Sequence, residues 1–295
     1  MSVAIILNPI AGGANPVASR ARAARVVTAI ADRGDKVDVF VTERPGHARD
    51  LAKAAVARGS ALVVAWGGDG TVNEVASALA FGQVPMGIVP AGSGNGLACE
   101  LGVNRRPEVA IVEALAARPR PIDLGEIGGR LFVNAAGVGL DAEVAARFGD
   151  PRNRRRGLVK YVEVTLRALR SYEPARYVIT TAKGSIRTRA LLVTVANSAQ
   201  FGNGARIAPG ARIDDGLLDL VVMEERSRWQ TVWQARRLFN GTADRIPGWT
   251  VRRVDEATVQ CDRPMRFHVD GEPMDGDTRL AVRVHPAALL IALRP

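Results

Sequence analysis

The sequence has few cysteines and no clear export signal or membrane span. Cys99 and Cys261 are far apart and lack metal-ligand spacing, so neither a disulfide framework nor a zinc site is predicted. The first residues show no basic segment before a long apolar one, which argues against a signal peptide. The longest uncharged run, residues 75–99, contains Pro85, Pro90 and five glycines, so we do not interpret it as a membrane span. These absences predict a cytoplasmic protein whose membrane contact, if any, is peripheral.

The composition is that of a folded, basic protein. The 295 residues are 47% hydrophobic, which suffices for one large core or two ordinary ones, and we favour two domains. The formal net charge of +10 suits an anionic partner such as a membrane surface or a nucleic acid. Excess arginine can also reflect base composition, so charge alone does not choose between these partners. No internal repeat or low-complexity tract is evident.

The first part of the chain alternates between short apolar strands and helices. Strands are predicted at residues 3–7, 37–41, 61–66 and 86–89, and helices at residues 16–33, 46–58, 71–80 and 107–117. Continuous apolar strands separated by helices are typical of a parallel sheet covered on both faces, whose ligands bind at the carboxyl ends of the strands. The proline-broken stretch 118–121 is the predicted domain boundary.

From residue 122 onwards, short β-type runs dominate. They are residues 130–135, 177–181, 190–196, 217–223, 257–261, 266–269 and 280–284, with helices predicted at about 157–171 and 228–239. Such runs indicate an antiparallel sandwich. The predicted fold class is therefore an α/β nucleotide-binding domain with a parallel sheet, followed by a C-terminal antiparallel β-sandwich domain.

A glycine-rich turn follows the third predicted strand and opens the next helix. It consists of Gly67, Gly68, Asp69, Gly70 and Thr71. Glycines at this place leave bare backbone N–H groups near the positive end of a helix, where an anion can approach closely. The turn therefore predicts a phosphate site, although an ordinary turn with an aspartate cap would use similar residues.

Four other segments accompany this turn in a fixed order. They are Asn8-Pro9-Ile10-Ala11-Gly12-Gly13, Pro90-Ala91-Gly92-Ser93-Gly94-Asn95, Asp215-Gly216 and Asp270-Gly271-Glu272. The series resembles the diacylglycerol kinase catalytic-domain family over nearly the whole chain. The resemblance implies an ATP- and Mg²⁺-dependent lipid kinase with a first domain like those of NAD kinases and diacylglycerol kinases. It also implies that the end of the chain returns to that domain, which gives domains of residues 1–121 with 285–295, and of residues 122–284.

The resemblance places the nucleotide contacts in the first domain. They are Asn8, Pro9, Ile10, Ala11, Gly12, Thr42, Gly67, Gly68, Asp69, Gly70, Thr71, Val72, Asn73, Glu74 and Ser93. Asn8 could instead stabilise its own turn, and Thr42 could simply end a strand. Asp69 would repel a nucleotide unless Mg²⁺ or its water shell lay between them, so it predicts the metal. The alternative is that Asp69 caps the helix that begins near Thr71.

The resemblance assigns two further sites to the second domain. Glu272 is the expected general base, and Asp270 is a second candidate because two nearby carboxylates can divide their pKa values. An Asp-Gly step is also common in plain β-turns. The other site is a structural Mg²⁺ held by the Asp215 side chain and the carbonyls of Arg212 and Leu217, although one protein carboxylate holds such a cation weakly.

Two positions bear on the acceptor. This chain has Asn95-Gly96 at the position where bacterial diacylglycerol kinases of this family typically have an Asn-Asp pair. The segment looks more like those of sphingosine and ceramide kinases. That resemblance places Asp141 where a carboxylate would face a sphingoid amine or hydroxyl, with a plain loop aspartate as the alternative. Diacylglycerol and sphingoid acceptors stay open. A kinase of a soluble alcohol or of NAD is an alternative, since NAD kinases and phosphofructokinases share the GGDG turn. A non-catalytic nucleotide or nucleic-acid binder is another.

Basic residues beside apolar stripes predict a contact with an anionic membrane surface. The first such stripe lies in the helix at 157–171, which follows Arg152, Arg154, Arg155, Arg156 and contains Lys160. The second lies in the helix at 228–239 and includes Trp229, Trp233 and Phe239. Either stripe could instead be core, and we favour the first as the membrane contact. No nucleic-acid partner is expected because no such motif is found, and a homodimer is left open.

Overall fold

A computed structural model describes residues 1–13, 15–31, 34–149, 157–202 and 204–293. The chain forms two compact units, Met1–Ile122 with Ala287–Pro295, and Asp123–Pro286. The sequence predicted residues 1–121 with 285–295 and residues 122–284, so the boundaries differ by one or two positions. The basic cluster at positions 152–156, which we expected to contact a membrane, lies outside the described residues.

The first unit is built around a parallel sheet. Its strands are β1 (Ser2–Leu7), β2 (Lys36–Val41), β3 (Leu62–Gly67) and β4 (Met86–Pro90), and its helices are α1 (Pro16–Ala31), α2 (His47–Ala57), α3 (Asp69–Leu79), α4 (Gly96–Glu100) and α5 (Pro107–Ala116). The strands run parallel in the order β2, β1, β3, β4. Nearly every residue of β1 and β3 is buried, as expected for strands covered on both faces. The predicted parallel α/β domain is confirmed.

The second unit consists mainly of antiparallel strands. They are β5 (Pro119–Ile127), β6 (Arg130–Phe132), β7 (Ala135–Gly139), β8 (Ala175–Thr181), β9 (Gly184–Ala196), β10 (Gln200–Gly202), β11 (Ala205–Arg206), β12 (Leu218–Glu224), β13 (Trp249–Val254), β14 (Glu256–Cys261), β15 (Arg266–Val269), β16 (Glu272–Asp275) and β17 (Arg279–Ala292). The helices are α6 (Leu140–Gly149), α7 (Leu158–Ser171), α8 (Arg228–Gln234) and α9 (Arg236–Phe239). The strands pair in the order β16, β15, β7, β9, β8, β14, β17, while β12 joins β9 to β13.

Apolar residues pointing to opposite sides of these strands form separate clusters. Leu220 and Val221 are successive residues of β12, so their side chains point to opposite faces. Leu220 packs in a cluster with Phe132 and Ile179. Val221 packs in another cluster, to which α7 contributes Val164. The second unit therefore has apolar layers on both sides of its strands.

The end of β17 returns to the first unit. Ile291 pairs in parallel with Met86 of β4, and the N–H of Phe81 donates to the Ala288 carbonyl over 2.7 Å. Ala288 and Ile291 are both buried. The C-terminal segment, which the resemblance predicted to return to the first domain, therefore forms a strand of the first unit's sheet.

The elements of the second unit differ from the sequence prediction in several places. The predicted domain boundary at 118–121 lies next to the division after Ile122, but the stretch itself is part of strand β5, which begins at Pro119. The run 130–135 is split between β6 and β7, and the helix predicted at 228–239 is two helices. None of the described helices is both long enough and apolar enough to cross a bilayer.

Candidate active site

Three glycine turns of the first unit lie against one another at the carboxyl ends of β1, β3 and β4. A β-carbon at Gly12 would stand 2.4 Å from the carbonyl oxygen of Ala91. A β-carbon at Gly92 would stand 2.6 Å from the α-carbon of Gly68. Because side chains do not fit at these contacts, the turns form a surface of bare backbone, which an anion can approach closely.

Asn8 joins the first of these turns to the second. Its Oδ1 accepts a hydrogen bond from the N–H of Ile10 at 3.2 Å, which stabilises its own turn. Its Nδ2 donates to Oγ1 of Thr71 at 3.1 Å. A β-carbon at Gly67 would stand 2.4 Å from the same hydroxyl oxygen, so glycine is needed for Thr71 to lie there. Both interpretations of Asn8 that the sequence left open, a turn residue and a site residue, are compatible with these contacts.

Asp69 caps a helix other than its own. Its Oδ1 accepts from the N–H of Gly96 at 2.6 Å and its Oδ2 from the N–H of Asn95 at 2.9 Å, at the start of α4. Its own helix α3 has Gly68 as the N-cap residue. The alternative considered from the sequence was a cap for the helix near Thr71, and these bonds show that Asp69 caps α4. A carboxylate is a ligand type that suits Mg²⁺ or its water shell, so Asp69 stays the candidate for the metal side.

Asn95 uses its side chain within its own turn. Oδ1 accepts from the N–H of Gly92 at 2.8 Å, and Nδ2 donates to the Gly92 carbonyl at 2.7 Å. The backbone of Asn95 is left-handed, with φ of 52°. These bonds favour a structural role over the predicted contact with the acceptor. Ser93 lies on the same turn and is exposed.

Glu74 caps α2 in the way that Asp69 caps α4. Its carboxylate accepts from the N–H groups of Gly46 at 2.6 Å and Ala48 at 2.9 Å. These contacts favour a structural role for Glu74 over the predicted nucleotide contact. Thr42 follows β2, and its N–H donates to the Leu7 carbonyl at 2.9 Å, which places it beside the first turn.

The other predicted nucleotide residues divide by exposure. Buried positions are Pro9, Ala11, Thr71, Val72 and Asn73. Exposed or half-buried positions are Ile10, Gly12, Gly68 and Gly70. The buried group supports the turns, and the second group is the part that a ligand can reach.

In the second unit, Asp270 anchors the turn between β15 and β16. Its carboxylate accepts from the backbone N–H groups of Val133 at 2.9 Å, Asn134 at 2.8 Å and Ala135 at 3.0 Å. Its own N–H donates to the Ala135 carbonyl at 2.9 Å. A carboxylate held by three backbone donors is suited to fixing a turn rather than moving protons. The exposed Glu272, at the start of β16, is then the better candidate for the base.

A buried network lies behind this turn. The N–H of Gly271 donates to His268 Nδ1 at 3.4 Å, so the proton of a neutral ring is on Nε2, which lies 3.3 Å from Asp141 Oδ2. The same oxygen accepts from Thr194 Oγ1 at 2.5 Å, and Oδ1 accepts from the N–H of Ala142 at 2.8 Å. The Asp141 side chain is only 5% exposed. This burial favours a positioning role for Asp141 over the predicted contact with a sphingoid head group.

The electrostatic surroundings of this network include a partly buried tyrosine. Tyr161 of α7 packs edge-on against Phe148, with ring centroids 5.7 Å apart. Burial and the nearby charge of Asp141 both raise the pKa of Tyr161. The phenol is therefore a neutral packing group at physiological pH. The sequence carried no signal for this network, because its members are 53 and 127 residues apart and meet only in the folded protein.

The loop that was expected to hold a structural Mg²⁺ contains two ion pairs. Asp215 Oδ2 is paired with the guanidinium of Arg253, and Oδ1 accepts from the N–H of Leu217 at 3.2 Å. Arg212 is paired with Asp214 at 3.3 Å. Within the described ranges, no group of three or more His, Cys, Asp or Glu side chains could hold a metal ion. The one carboxylate of the predicted ligand set is thus paired with a guanidinium here, and the structural Mg²⁺ stays a prediction.

Comparisons with known proteins agree with the two-unit structure. Residues 2–127 match the diacylglycerol kinase catalytic domain, and residues 134–293 match the YegS C-terminal NAD kinase beta sandwich-like domain. A Pseudomonas aeruginosa protein named "Probable lipid kinase YegS-like" is 32% identical over 270 residues, which cover 90% of this chain and 88% of that protein. A protein of the same name from Pseudomonas savastanoi pv. phaseolicola is 31% identical over 271 residues, or 90% and 87% of the two chains.

Solved structures share the fold. A diacylglycerol kinase from Bacillus anthracis str. Sterne superposes with a TM-score of 0.73 at 18% identity, over 100% of this chain and 97% of that chain. Another chain from that organism reaches 0.80 at 22% identity, over 100% and 95% of the two chains. These identities establish the fold alone, whereas the domain matches and the Pseudomonas relatives establish the family. The chain belongs to the family of YegS-like lipid kinases, and its first unit is the catalytic domain of an ATP-dependent kinase.

Proposed function

We propose that the protein transfers the γ-phosphoryl group of ATP to a hydroxyl of a membrane lipid in an Mg²⁺-dependent reaction. The observation that carries the proposal is the contact between the three glycine turns, Gly12 against Ala91 and Gly68 against Gly92. Phosphoryl transfer depends mainly on positioning and on charge stabilisation. A backbone surface beside the start of α3 is suited to both, because its N–H groups and the helix dipole favour phosphate oxygens.

Different residues of the first unit would contact the nucleotide and support the turns that bind it. The exposed and half-buried turn residues would contact the phosphates, while Asn8 and Thr71 hold two of the turns together. When bound, ATP supplies the phosphoryl group and Mg²⁺ offsets its charge. Asp69 is the candidate for the metal side, since its carboxylate lies at the junction of the second and third turns.

Glu272 is the proposed general base. Its carboxylate would accept the proton from the acceptor's hydroxyl oxygen as that oxygen attacks the γ-phosphorus, the bond from that phosphorus to the β–γ bridging oxygen breaks, and ADP leaves. Asp270 holds the turn in place through Val133, Asn134 and Ala135, and His268 supports it through Gly271. A base on a turn fixed from two sides loses little freedom when the acceptor binds, which favours productive geometry.

The second unit has a groove that suits an acceptor with an apolar part. It has a volume of about 470 Å³, and Tyr177, Ala175 and Met265 contribute to its lining. Arg266 and Asp275 also border the groove, and Asp275 ends the strand β16 that Glu272 begins. Diacylglycerol-like and sphingoid acceptors both fit this chemistry, and the burial of Asp141 removes the argument that favoured a sphingoid amine.

A labelling experiment tests the proposal. The protein is incubated with γ-labelled ATP and Mg²⁺ in separate reactions with diacylglycerol, ceramide, sphinganine, glycerol or NAD. Label in an organic-soluble product is expected, and the reaction in which it appears identifies the acceptor. The Glu272→Gln variant, purified in the same way, is the control for contaminating kinases, because its labelled product should fall by about 10²- to 10⁴-fold.

Two outcomes would contradict the proposal. Label on glycerol or NAD alone would show a kinase of a soluble acceptor, the alternative suggested by the shared GGDG turn. Tight ATP binding without turnover of any acceptor, in the parent protein and under all lipid presentations, would show a non-catalytic nucleotide binder.

A further inference from the structure

Helix α8 exposes large apolar side chains. Trp229 is 78% exposed, Trp233 52% and Val232 39%, and Phe239 of the adjoining α9 is 48% exposed. No residue of either helix is buried. Trp229, Val232 and Trp233 are spaced i, i+3 and i+4, so they share one face of α8. The sequence left open whether this stripe was core, and the structure shows that it is surface. Clustered apolar side chains on a surface mark an interaction site.

Helix α7 contacts α8 and extends this surface. Val159 is 85% exposed, and Val162 and Leu166, at i+3 and i+7, are exposed on the same side of the helix. Val164 and Ala168 lie on the opposite side and are buried in the second unit. The helix therefore has two apolar sides, and packing within the described structure uses one of them.

Arginines accompany the apolar residues. Positions 226–243 contain four arginines and no acidic residue. Arg228 and Arg236 are exposed, and the guanidinium of Arg236 lies 3.8 Å from the ring centroid of Trp233. Tryptophan favours the interfacial layer of a bilayer, and arginine pairs well with lipid phosphates. A stacked Trp–Arg pair thus presents both chemistries at one place.

We propose that this surface, formed by α7, α8 and α9 and called here the docking face, binds the surface of an anionic phospholipid bilayer. The proposal rests on the proposed function, in that a kinase with a lipid acceptor must reach the bilayer. A second copy of the chain is a less suitable occupant, because a symmetric contact through this face would bring the arginines of two copies together. A bilayer supplies both an apolar layer and the negative charge that the arginines require.

Tryptophan fluorescence reports on the docking face directly. The chain has four tryptophans, and the other two, Trp66 and Trp249, are buried. Vesicles of phosphatidylglycerol and phosphatidylcholine should shift the emission to shorter wavelength, and brominated acyl chains should quench it. Vesicles of phosphatidylcholine alone should have much weaker effects. Unchanged emission and no quenching with the anionic vesicles at low salt would overturn the proposal.

Paired variants test which residues are responsible. The docking variants are Trp229→Gln/Trp233→Gln and Arg228→Gln/Arg236→Gln, and the control with the same loss of charge is Arg20→Gln/Arg22→Gln on α1 of the first unit. The arginine pair should weaken vesicle binding by about 30-fold at low salt. The tryptophan pair should weaken it at both low and high salt, because apolar burial is not screened. Co-sedimentation measures both, and thermal unfolding confirms that each variant is folded.

Three results separate this proposal from the proposed function. If the docking variants lose vesicle binding but phosphorylate a detergent-dispersed lipid normally, both proposals are supported. If they lose vesicle binding while the parent phosphorylates no lipid, the docking face stands and the proposed function fails. If they sediment with vesicles like the parent, the docking face is refuted, and light scattering that showed loss of a parent dimer would identify a contact between copies.

Discussion

Gly12 and Ala91 meet backbone to backbone, with no space for a β-carbon at position 12, which would lie 2.4 Å from the Ala91 oxygen. We predict that Gly12→Ala weakens binding of a non-hydrolysable ATP analogue at least tenfold and lowers the free energy of unfolding by about 1–3 kcal/mol. Gly13→Ala is the matched control, because its φ of +80° is also unfavourable for alanine but nothing lies within 4 Å. Calorimetric titration of both variants is the measurement. Equal losses of affinity would show that backbone strain alone, and not the contact, is responsible.

Asp69 and Glu74 form a second matched pair, since each accepts two backbone N–H groups at the start of another helix. An amide in place of either carboxylate turns an NH₂ towards one donor, so Asp69→Asn and Glu74→Gln should each lose about 1–3 kcal/mol of unfolding free energy. We expect Asp69→Asn also to lose Mg²⁺-stimulated turnover, while Glu74→Gln keeps most of it. The measurement is turnover as a function of Mg²⁺ concentration, at a temperature below the thermal unfolding of both variants. Similar Mg²⁺ curves would leave Asp69 as a cap only.

Replacement of Glu272 should separate catalysis from nucleotide binding. We predict that Glu272→Gln lowers kcat by about 10²- to 10⁴-fold, because the hydroxyl proton loses its acceptor. The Kd for an ATP analogue should not change, since the nucleotide turns belong to the first unit. Glu256→Gln, which alters another exposed carboxylate of the second unit, serves as the control. A kcat for Glu272→Gln near that of the control would remove Glu272 from the reaction.

The burial of Asp141 predicts that this residue positions the Glu272 turn and does not contact the acceptor. Thr194→Val keeps the side-chain shape but removes the 2.5 Å hydrogen bond to Asp141, so the free energy of unfolding should fall by about 1.5–3 kcal/mol. If Asp141 positions the Glu272 turn, Thr194→Val and Asp141→Asn should both lower kcat and leave the KM for the lipid unchanged. Steady-state kinetics with a detergent-dispersed acceptor provides the comparison. A rise in the lipid KM for Asp141→Asn alone would restore the predicted contact with the acceptor.

Much of the first unit could be predicted from sequence because its signals are local. The strand β3 is buried at all six positions, and its apolar run is followed directly by the glycine turn that begins α3. Strand, turn and helix thus lie within about twenty consecutive residues, and each constrains the next. The C-terminal return to this unit was inferred from the resemblance and not from any such pattern.

The side-chain partners of the site could not be predicted in this way. Asp69 reaches N–H groups 26 and 27 residues later, and Asp141 meets Thr194 and His268 at separations of 53 and 127 residues. Helix α6 was also missed, because Gly137 and Gly139 in front of it are typical of a loop. Gly139 has φ of +108° and carries the chain from β7 into that helix, so the glycine marks a bend and not a loop.

Apolar periodicity also did not show which side of each helix packs against the rest of the protein. The spacing of Trp229 and Trp233 indicates that they share a side of a helix, but not whether that side is covered. The same limit applied to α7, where Val162 is exposed and Val164 is buried only two positions later. Which side is covered depends on tertiary packing, which the pattern of one helix does not contain.

The pairing of Ile291 with Met86 has a consequence for synthesis of the protein. A ribosome that has made only the first 122 residues has produced four strands of the parallel sheet but not the segment that lies beside β4. During translation of the entire second unit, that edge of β4 stays unpaired and open to contacts with other chains. We therefore expect the nascent first unit to remain susceptible to protease, or occupied by a chaperone, until position 291 has left the exit tunnel. A fragment ending at residue 122 would be arrested permanently in that state.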